Sequence, residues 1–392
     1  MCYAIPGKVI EIEDNICKIE YFGIIKKVRN DFYDLKIGDY VYAQGGFVIQ
    51  KIPEEEARET LKIWEEFFYK LKEVDLRVTY PSKDLYKIAN RIRQEYHDNS
   101  CCIHGIIEFS NYCRNNCLYC GLRKDNKKLK RYRMEPDEII NLAFYAINKL
   151  NFKALVFQSG EDLYYDIDKL SYIVKRIMEG SPCLLILSIG EREIEIYKRL
   201  YELGARAILL RFETSNKKVY EKMRPGHKLE DRVNLIRELK EIGYLIMTGF
   251  LIGLPGEEEG DILNNLALTN ELGAEMFSFG PFIPHPDTPL KDFLPPPMEK
   301  VLDTIAQARI LYPNSKILVT TAMQTLDKKD GLKKGLLAGA NSLMINLTPK
   351  EYAYLYEIYP NRDGVGEDIN QKIKEIIALL HELGRAPADI GL

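Results

Sequence analysis

The sequence carries little net charge and lacks any long apolar run. Its 55 Lys and Arg nearly balance its 58 Asp and Glu, and the formal net charge of −3 gives no overall attraction to nucleic acid or to an acidic membrane surface. No uninterrupted apolar stretch approaches the roughly 20 residues that cross a bilayer. The N-terminus does not show the basic and then apolar pattern of a secretion signal. We therefore predict a cytoplasmic protein with neither nucleic acid nor membrane among its partners.

Cysteine is sparse but clustered. Of eight cysteines in 392 residues, three lie close together at Cys113, Cys117 and Cys120, and none follows Cys183. A secreted disulfide framework would spread an even number of cysteines over a short chain, so this cluster indicates a metal site. Three thiolates in one loop can hold an iron–sulfur cluster and leave its fourth iron open, whereas a closed zinc site needs four ligands. Buried thiols and a zinc site are the alternatives. A zinc site would need a fourth ligand, and the upstream His104 lies across a strand from the loop.

The N-terminal part, residues 1–74, is predicted to be a small β domain followed by a helix. Short runs of β-branched residues alternate with turns at Asp14-Asn15 and Gly38-Asp39. We predict an OB-like β-barrel with strands at 8–12, 17–21, 24–28 and 40–43, and a helix from Pro53 towards Leu71. Tyr80-Pro81-Ser82 is typical of a linker, so residues 75–104 are assigned to a linker and to the first helix of the next domain.

Residues 105–392 alternate between strand-like and helical patterns. The predicted strands are 105–110, 154–159, 184–189, 207–212, 245–251, 276–282, 316–321 and 342–347. Eight β–α units in about 250 residues are typical of a TIM barrel, whereas a doubly wound sheet would use fewer strands. We therefore predict an α/β protein built on a (βα)8 barrel, with its site at the carboxyl ends of the strands.

The segment after the first of these strands carries its cysteines as Cys-x-x-x-Cys-x-x-Cys. This arrangement is similar to the signature loop of the radical S-adenosylmethionine (SAM) superfamily. The resemblance implies a 4Fe–4S cluster on Cys113, Cys117 and Cys120 whose open iron chelates SAM. It implies reductive cleavage of SAM to methionine and a 5′-deoxyadenosyl radical, and it implies that Tyr119 packs on adenine.

Residues at other predicted strand ends match further positions of this superfamily. The Ser159-Gly160-Glu161 turn resembles the turn that receives the methionine amino group, although an ordinary βα turn has a similar composition. Arg211 and Glu213 lie on one face of the fourth strand, where they would bind the methionyl carboxylate and the ribose hydroxyls, or satisfy each other. The resemblance adds three more SAM-binding residues, namely Arg232, Gly249 and Leu251.

Longer matches indicate one branch of the superfamily. Residues 84–392 resemble HydE, the maturase of iron–iron hydrogenase, most clearly over 107–113, 118–123, 280–289 and 320–323. Biotin synthase and methylornithine synthase belong to the same branch. Residues 1–9 resemble HypC, a small nickel–iron hydrogenase chaperone whose exposed cysteine helps to hold iron, and Cys2 matches that cysteine.

The sequence also departs from these patterns. Gln44 stands where HypC usually has a histidine, so the small domain is expected either to carry iron on Cys2 or only to dock a partner. The accessory cluster of many HydE proteins should be absent, because no cysteine follows Cys183. A chamber with fewer cationic groups should favour a less anionic substrate. Its predicted lining residues are His104, Ile186, Ala207, Thr320 and Thr321.

The leading hypothesis is a HydE-like radical SAM enzyme that builds or modifies an organometallic iron cofactor. It would need a one-electron donor such as ferredoxin or flavodoxin, and a maturation protein could dock on the HypC-like domain. One alternative keeps the radical chemistry but acts on a small organic molecule such as an amino acid, as methylornithine synthase does. The other is a non-catalytic scaffold that carries iron on Cys2.

Overall fold

The computed structural model describes residues 5–78 and 83–389. Its strands are β1 (Pro6–Glu13), β2 (Ile16–Tyr21), β3 (Ile24–Arg29), β4 (Tyr40–Gln44), β5 (Phe47–Ile52), β6 (Cys102–Ser110), β7 (Ala154–Ser159), β8 (Leu184–Ser188), β9 (Ala207–Leu209), β10 (Leu245–Thr248), β11 (Leu251–Ile252), β12 (Ala274–Phe277), β13 (Gly280–Pro281), β14 (Lys316–Val319) and β15 (Ser342–Asn346). Its helices are α1 (Glu54–Arg77), α2 (Asp84–His97), α3 (Pro136–Asn148), α4 (Ile167–Gly180), α5 (Ile194–Glu202), α6 (Lys217–Met223), α7 (Leu229–Ile242), α8 (Asp261–Glu271), α9 (Met298–Leu311), α10 (Thr321–Leu326), α11 (Gly331–Leu337), α12 (Lys350–Ala353) and α13 (Ile369–Glu382). In the part of the chain that is described, no helix is long and apolar enough to cross a membrane. The predicted iron ligand Cys2 and the predicted linker at Tyr80 to Ser82 lie outside the described residues.

The N-terminal strands close into a five-stranded barrel in the order β1-β2-β3-β5-β4. Its core is filled by alternate apolar residues of these strands, and Phe68 and Leu71 of α1 pack against it. The four predicted strands are confirmed, but the pattern did not predict β5. Helix α1 runs six residues past Leu71, to Arg77. Its last turn is held by Asp75, which pairs with Arg93 at 2.7 Å and with Arg385 at 3.3 Å.

The remaining chain forms a closed barrel of eight parallel strands, in the order β10-β12-β14-β15-β6-β7-β8-β9. The predicted TIM-type barrel is therefore confirmed, and the doubly wound alternative is wrong because β9 also pairs with β10. Helices α3, α4, α5, α7, α8 and α9 connect successive strands, as in other barrels of this class. All carboxyl ends of the strands consequently meet at one rim.

The lumen of this barrel is layered. Along β6, alternation places His104, Ile106 and Glu108 on the same inward face at successive depths. An apolar middle layer is built mainly by Ile106, Val156, Ile186, Met247, Met276 and Leu318. Because these side chains are buried, the polar residues near the rim are separated from those at the opposite end of the barrel.

The small barrel closes the amino-terminal end of the large one. Its Tyr42 and Ile49 belong to the same apolar cluster as the middle layer of the lumen. Gly45 is so close to the barrel wall that a Cβ there would lie 2.8 Å from Leu184 Cδ2. Gln44 donates from Nε2 to Asp389 Oδ2 at 2.9 Å and lies 3.2 Å from the sulfur of Cys102. The carboxyl rim is therefore the end of the lumen that the small domain leaves uncovered.

Candidate functional site

A cavity of about 300 Å³ lies at the carboxyl rim of the eight-stranded barrel. It is bordered by strand ends, by the loop that follows β6 and by the segment after α12. This is the end at which TIM barrels carry their active sites, and the volume is at the lower end of the range for small-molecule sites. The three predicted cluster ligands all line it.

The loop that carries the cysteines is held against the barrel on three sides. Arg114 donates its backbone N–H to Glu161 O at 3.1 Å, after β7. Leu118 donates to Met223 O at 2.9 Å, at the end of α6. Gly121 donates to Ile358 O at 2.9 Å, in the C-terminal segment. These bonds fix where the thiols of the loop can point.

Burial raises the pKa of each of the three thiols, Cys113, Cys117 and Cys120. Arg224 acts in the opposite direction on Cys113 and Cys117. Iron binds the thiolate, so cluster binding must displace protons from these groups. Among the described residues, no three His, Cys, Asp or Glu side chains are close enough to hold one metal ion. Three thiols of one loop that line the same cavity fit an iron–sulfur cluster, whose thiolates bind different iron atoms.

Gly160 lets the turn after β7 lie directly against the cysteine loop. A Cβ on this residue would be 2.1 Å from Tyr112 O and 2.9 Å from Cys113 Cβ. Its backbone N–H donates to Ser110 O at 3.0 Å. The next residue, Glu161, is buried and turns its carboxylate towards three guanidinium groups. The sequence predicted this turn as a binding element, and the contacts explain why a glycine is needed in it.

Arg211 and Glu213 form an ion pair that leaves hydrogen-bonding capacity in the cavity. Arg211 Nη2 lies 3.3 Å from Glu213 Oε2, yet that oxygen has no hydrogen-bond partner among the described residues. Glu213 has a φ of +67°, which is uncommon outside glycine, and it lines the cavity. Arg232 is also buried; its Nε donates to Glu191 at 2.6 Å, while Nη2 has no hydrogen-bond partner in the described chain.

Two ion pairs that adjoin the cavity were missed by the sequence analysis. Glu108, on β6, is fully buried and accepts hydrogen bonds from Arg362 and from Asn346 Nδ2, the latter at 3.0 Å. Arg224 and Glu191 lie beside the cysteine loop at 3.6 Å from each other. A carboxylate inside the apolar run of β6 was a usable signal for Glu108. No sequence signal joins it to Arg362, which is 254 residues away.

The structure gathers most of the predicted site residues around the cavity. Those that line it are Cys113, Cys117, Tyr119, Cys120, Ser159, Gly160, Glu161, Arg211, Glu213, Arg232, Leu251, Thr320 and Thr321. Gly249 does not line it, and its small size has another cause, since a Cβ would lie 2.2 Å from Ser278 O on the neighbouring segment.

Three predicted substrate residues, His104, Ile186 and Ala207, lie below the cavity and do not line it. The strand register explains why these residues lie too deep in the barrel. The cavity begins at Ser188 and Leu209, two residues nearer the rim than Ile186 and Ala207. The apolar middle layer separates His104 from it, and His104 contacts Cys102 instead, with Nε2 3.5 Å from the sulfur.

Three family models match this chain. The Radical SAM superfamily matches residues 107–269, the HupF/HypC family matches residues 1–64, and the Biotin and Thiamin Synthesis associated domain matches residues 278–385. The cysteine loop falls inside the first match.

The chain is also similar to individual proteins of these families. The chain is 44% identical to the FeFe hydrogenase maturase subunit HydE of Thermotoga maritima, over 77% of this chain and 86% of the relative. It is 29% identical to the 3-methylornithine synthase of Methanosarcina acetivorans, over 78% of this chain and 85% of that protein. The crystal structure of methylornithine synthase superposes with a TM-score of 0.67 at 25% identity, covering 82% of this chain and 97% of the other.

Proposed function

The chain belongs to the HydE family of radical SAM enzymes, which use a 4Fe–4S cluster and SAM, and from this premise we propose that it assembles or modifies an organometallic iron cofactor of the hydrogenase type. The observation that carries the proposal is the cavity at the barrel rim. There, three thiols of one loop share a wall with buried arginines and a glutamate that keep unused hydrogen-bonding atoms.

The roles of the residues follow from their chemistry. When bound, the reduced cluster supplies the electron that cleaves SAM into methionine and a 5′-deoxyadenosyl radical. Arg232 and Arg211 are suited to the methionyl carboxylate, because a guanidinium binds a carboxylate through two parallel hydrogen bonds. Glu213 Oε2 is suited to a ribose hydroxyl. The Ser159-Gly160-Glu161 turn receives the methionine ammonium, and Tyr119 and Leu251 cover adenine.

The opposite wall of the cavity is suited to the substrate and to excluding water. Tyr356 and Tyr359, from the segment after α12, line the cavity, and Arg362 of the same segment is bound to buried Glu108. This attachment keeps the aromatic side chains over the site, where they shield a reactive radical from solvent. Thr320 and Thr321 offer hydroxyl groups to the substrate.

The charges on this wall support a substrate without net negative charge. Arg362 is neutralised by Glu108, so among the described residues of this wall no cation is left over to bind an anion. An amino-acid zwitterion therefore remains a second candidate substrate, with methylornithine synthase as the corresponding relative. A bare iron-carrier scaffold is disfavoured, because it would have no need for buried arginines beside the cysteine loop.

For the small domain we propose docking of a maturation protein. Gln44, at the position where HypC has histidine, is already engaged with Asp389 at the barrel end. The five-stranded closed barrel of the small domain supports the OB-like assignment made from the sequence. A ferredoxin or flavodoxin would supply the electron. The cytoplasm is the appropriate compartment, because thiols must stay reduced to bind iron.

The test is anaerobic reconstitution with iron and sulfide, followed by dithionite and SAM, with 5′-deoxyadenosine quantified by chromatography. Wild-type protein and a Cys183→Ala control, which changes a buried cysteine outside the cavity, should form the product. Cys117→Ala should form none. Failure of the wild type to bind a cluster would contradict the proposal, and deuterium transfer from a labelled amino acid into 5′-deoxyadenosine would favour the second substrate.

A further inference from the structure

Arg224 is a buried cation placed directly behind the cysteine loop. It follows α6, and the preceding residue, Met223, accepts the backbone hydrogen bond of Leu118 at 2.9 Å. That bond ties the end of α6 to the stretch between Cys117 and Cys120. The side chain of Arg224 is only 4% exposed, and it lines the same cavity as the thiols.

The charge of Arg224 is only partly balanced. Its Nη2 lies 3.6 Å from a carboxylate oxygen of Glu161 and 3.6 Å from one of Glu191. Both carboxylates are shared, since Arg232 and Arg114 contact them as well. Three guanidinium groups thus share two carboxylates, so neither carboxylate is paired with Arg224 alone. Arg224 Nε and Nη2 have no hydrogen-bond partner among the described residues.

A cation that is held in a buried site acts strongly on a neighbouring redox centre. Charge interactions are stronger in a medium of low dielectric constant than in water, and the potential of an iron–sulfur cluster depends on local charge and on solvent exposure. We infer that Arg224 raises the reduction potential of the cluster held by Cys113, Cys117 and Cys120, and so makes it reducible by a one-electron donor. The inference depends on the proposed function, because it requires the cluster.

The electron balance is simple. The cluster takes up one electron from the donor, no bond is broken and no proton is needed, so the negative charge of the site rises by one. Arg224 stabilises that extra charge. Glu191 opposes the effect, since its carboxylate repels the incoming electron. Removing either side chain should therefore shift the potential, and the two shifts should have opposite signs.

The experiment is a mediated redox titration of the reconstituted protein without SAM, in which the reduced cluster is followed by electron paramagnetic resonance. At a fixed solution potential, Arg224→Gln should lower the ratio of reduced to oxidised cluster at least tenfold, which is about 59 mV for a one-electron couple. Arg224→Lys should stay within twofold of wild type. Glu191→Gln should raise the ratio.

Arg114→Gln is the matched control. Arg114 pairs with the same Glu161 at 3.2 Å, but its side chain is 45% exposed, so water and salt screen its charge. In Arg114→Gln the ratio of reduced to oxidised cluster should differ less than threefold from that of wild type. Equal potentials in wild type and Arg224→Gln would overturn the inference. If Arg224→Gln binds no cluster, Glu191→Gln decides, and an unchanged or lower potential in that variant would refute it. A wild type without a cluster would instead refute the proposed function.

Discussion

The contact between Gly160 and the cysteine loop makes a sharp prediction. In Gly160→Ala the new methyl group would lie 2.1 Å from Tyr112 O, whereas ordinary van der Waals contacts begin at 3.4 Å. The turn must therefore retreat by about 1.3 Å, the difference between these two distances. The obstacle is a backbone carbonyl, which cannot rotate away as the end of a side chain can. Two hydrogen bonds that join the turn and loop, Gly160 N to Ser110 O and Arg114 N to Glu161 O, would lengthen with it.

The cost can be bounded from these contacts. Inserting a methyl group into a packed region costs about 1–3 kcal/mol, and each of the two weakened hydrogen bonds adds about 0.5–1 kcal/mol. The sum is about 2–5 kcal/mol. Since about 1.4 kcal/mol corresponds to a factor of ten, the docked form of the cysteine loop should become at least about 30-fold less favoured. The barrel itself should remain folded, because the clash is confined to its rim.

The assay measures how fast a chelator strips iron from the anaerobically reconstituted protein. Gly160→Ala should lose iron at least about 30-fold faster than wild type, with a similar thermal unfolding midpoint. Gly180→Ala, at the end of α4, is the matched control, since the three atoms nearest to its methyl group would all belong to the side-chain ring of Phe144 and not to the backbone. Iron retention in Gly160→Ala as long as in wild type would refute the reasoning, because the turn would then tolerate a side chain.

Three further variants test other parts of the structure. Gly45→Ala, with φ at +58° and a Cβ 2.8 Å from Leu184, should lower stability by about 1–3 kcal/mol in thermal unfolding followed by circular dichroism; an unchanged midpoint would mean that the small barrel does not pack as described. Arg362→Gln leaves the carboxylate of Glu108 buried and unpaired and should cost about 3–5 kcal/mol in urea unfolding, part of which Glu108→Gln should restore in the double variant. Burial and Lys316 lower the pKa of His104 in the folded protein to about 4 from the usual 6.5. As the pH drops, the imidazole of the unfolded chain therefore takes up its proton before that of the folded protein, and the free energy of unfolding falls between about pH 6.5 and pH 4. His104→Gln should flatten that slope in urea midpoints measured across this range, and an unaltered slope would assign it to other groups.

Much of the architecture could be predicted from local patterns. Alternating and helical periodicities repeat over short stretches, so eight β–α units could be counted and a barrel expected. The cysteine spacing predicted a metal site, because one loop supplies all three thiols. Strand β5 was not predicted, because its apolar residues directly follow the Gly45-Gly46 turn and no further sequence pattern marks them as a strand of their own.

The candidate site was predictable only where a residue and its neighbours in sequence carry the signal. Tyr119 sits between two cysteines, and Arg211 and Glu213 stand at the end of a recognisable strand. His104 was misplaced because a strand pattern tells which side chains share a face but not how deep each lies in a closed lumen. Depth depends on the register and tilt of all eight strands.

The sequence by itself determined the β–α repeat, the cysteine loop and the small N-terminal β domain, since each is encoded in residues that are close along the chain. Only the tertiary structure decided the pairing of Glu108 with Arg362, the place of Arg224 behind the thiols, and the closure of the barrel by the small domain. Such contacts join residues tens to hundreds of positions apart. They form once the barrel closes, and buried charges then require partners that no local pattern can name.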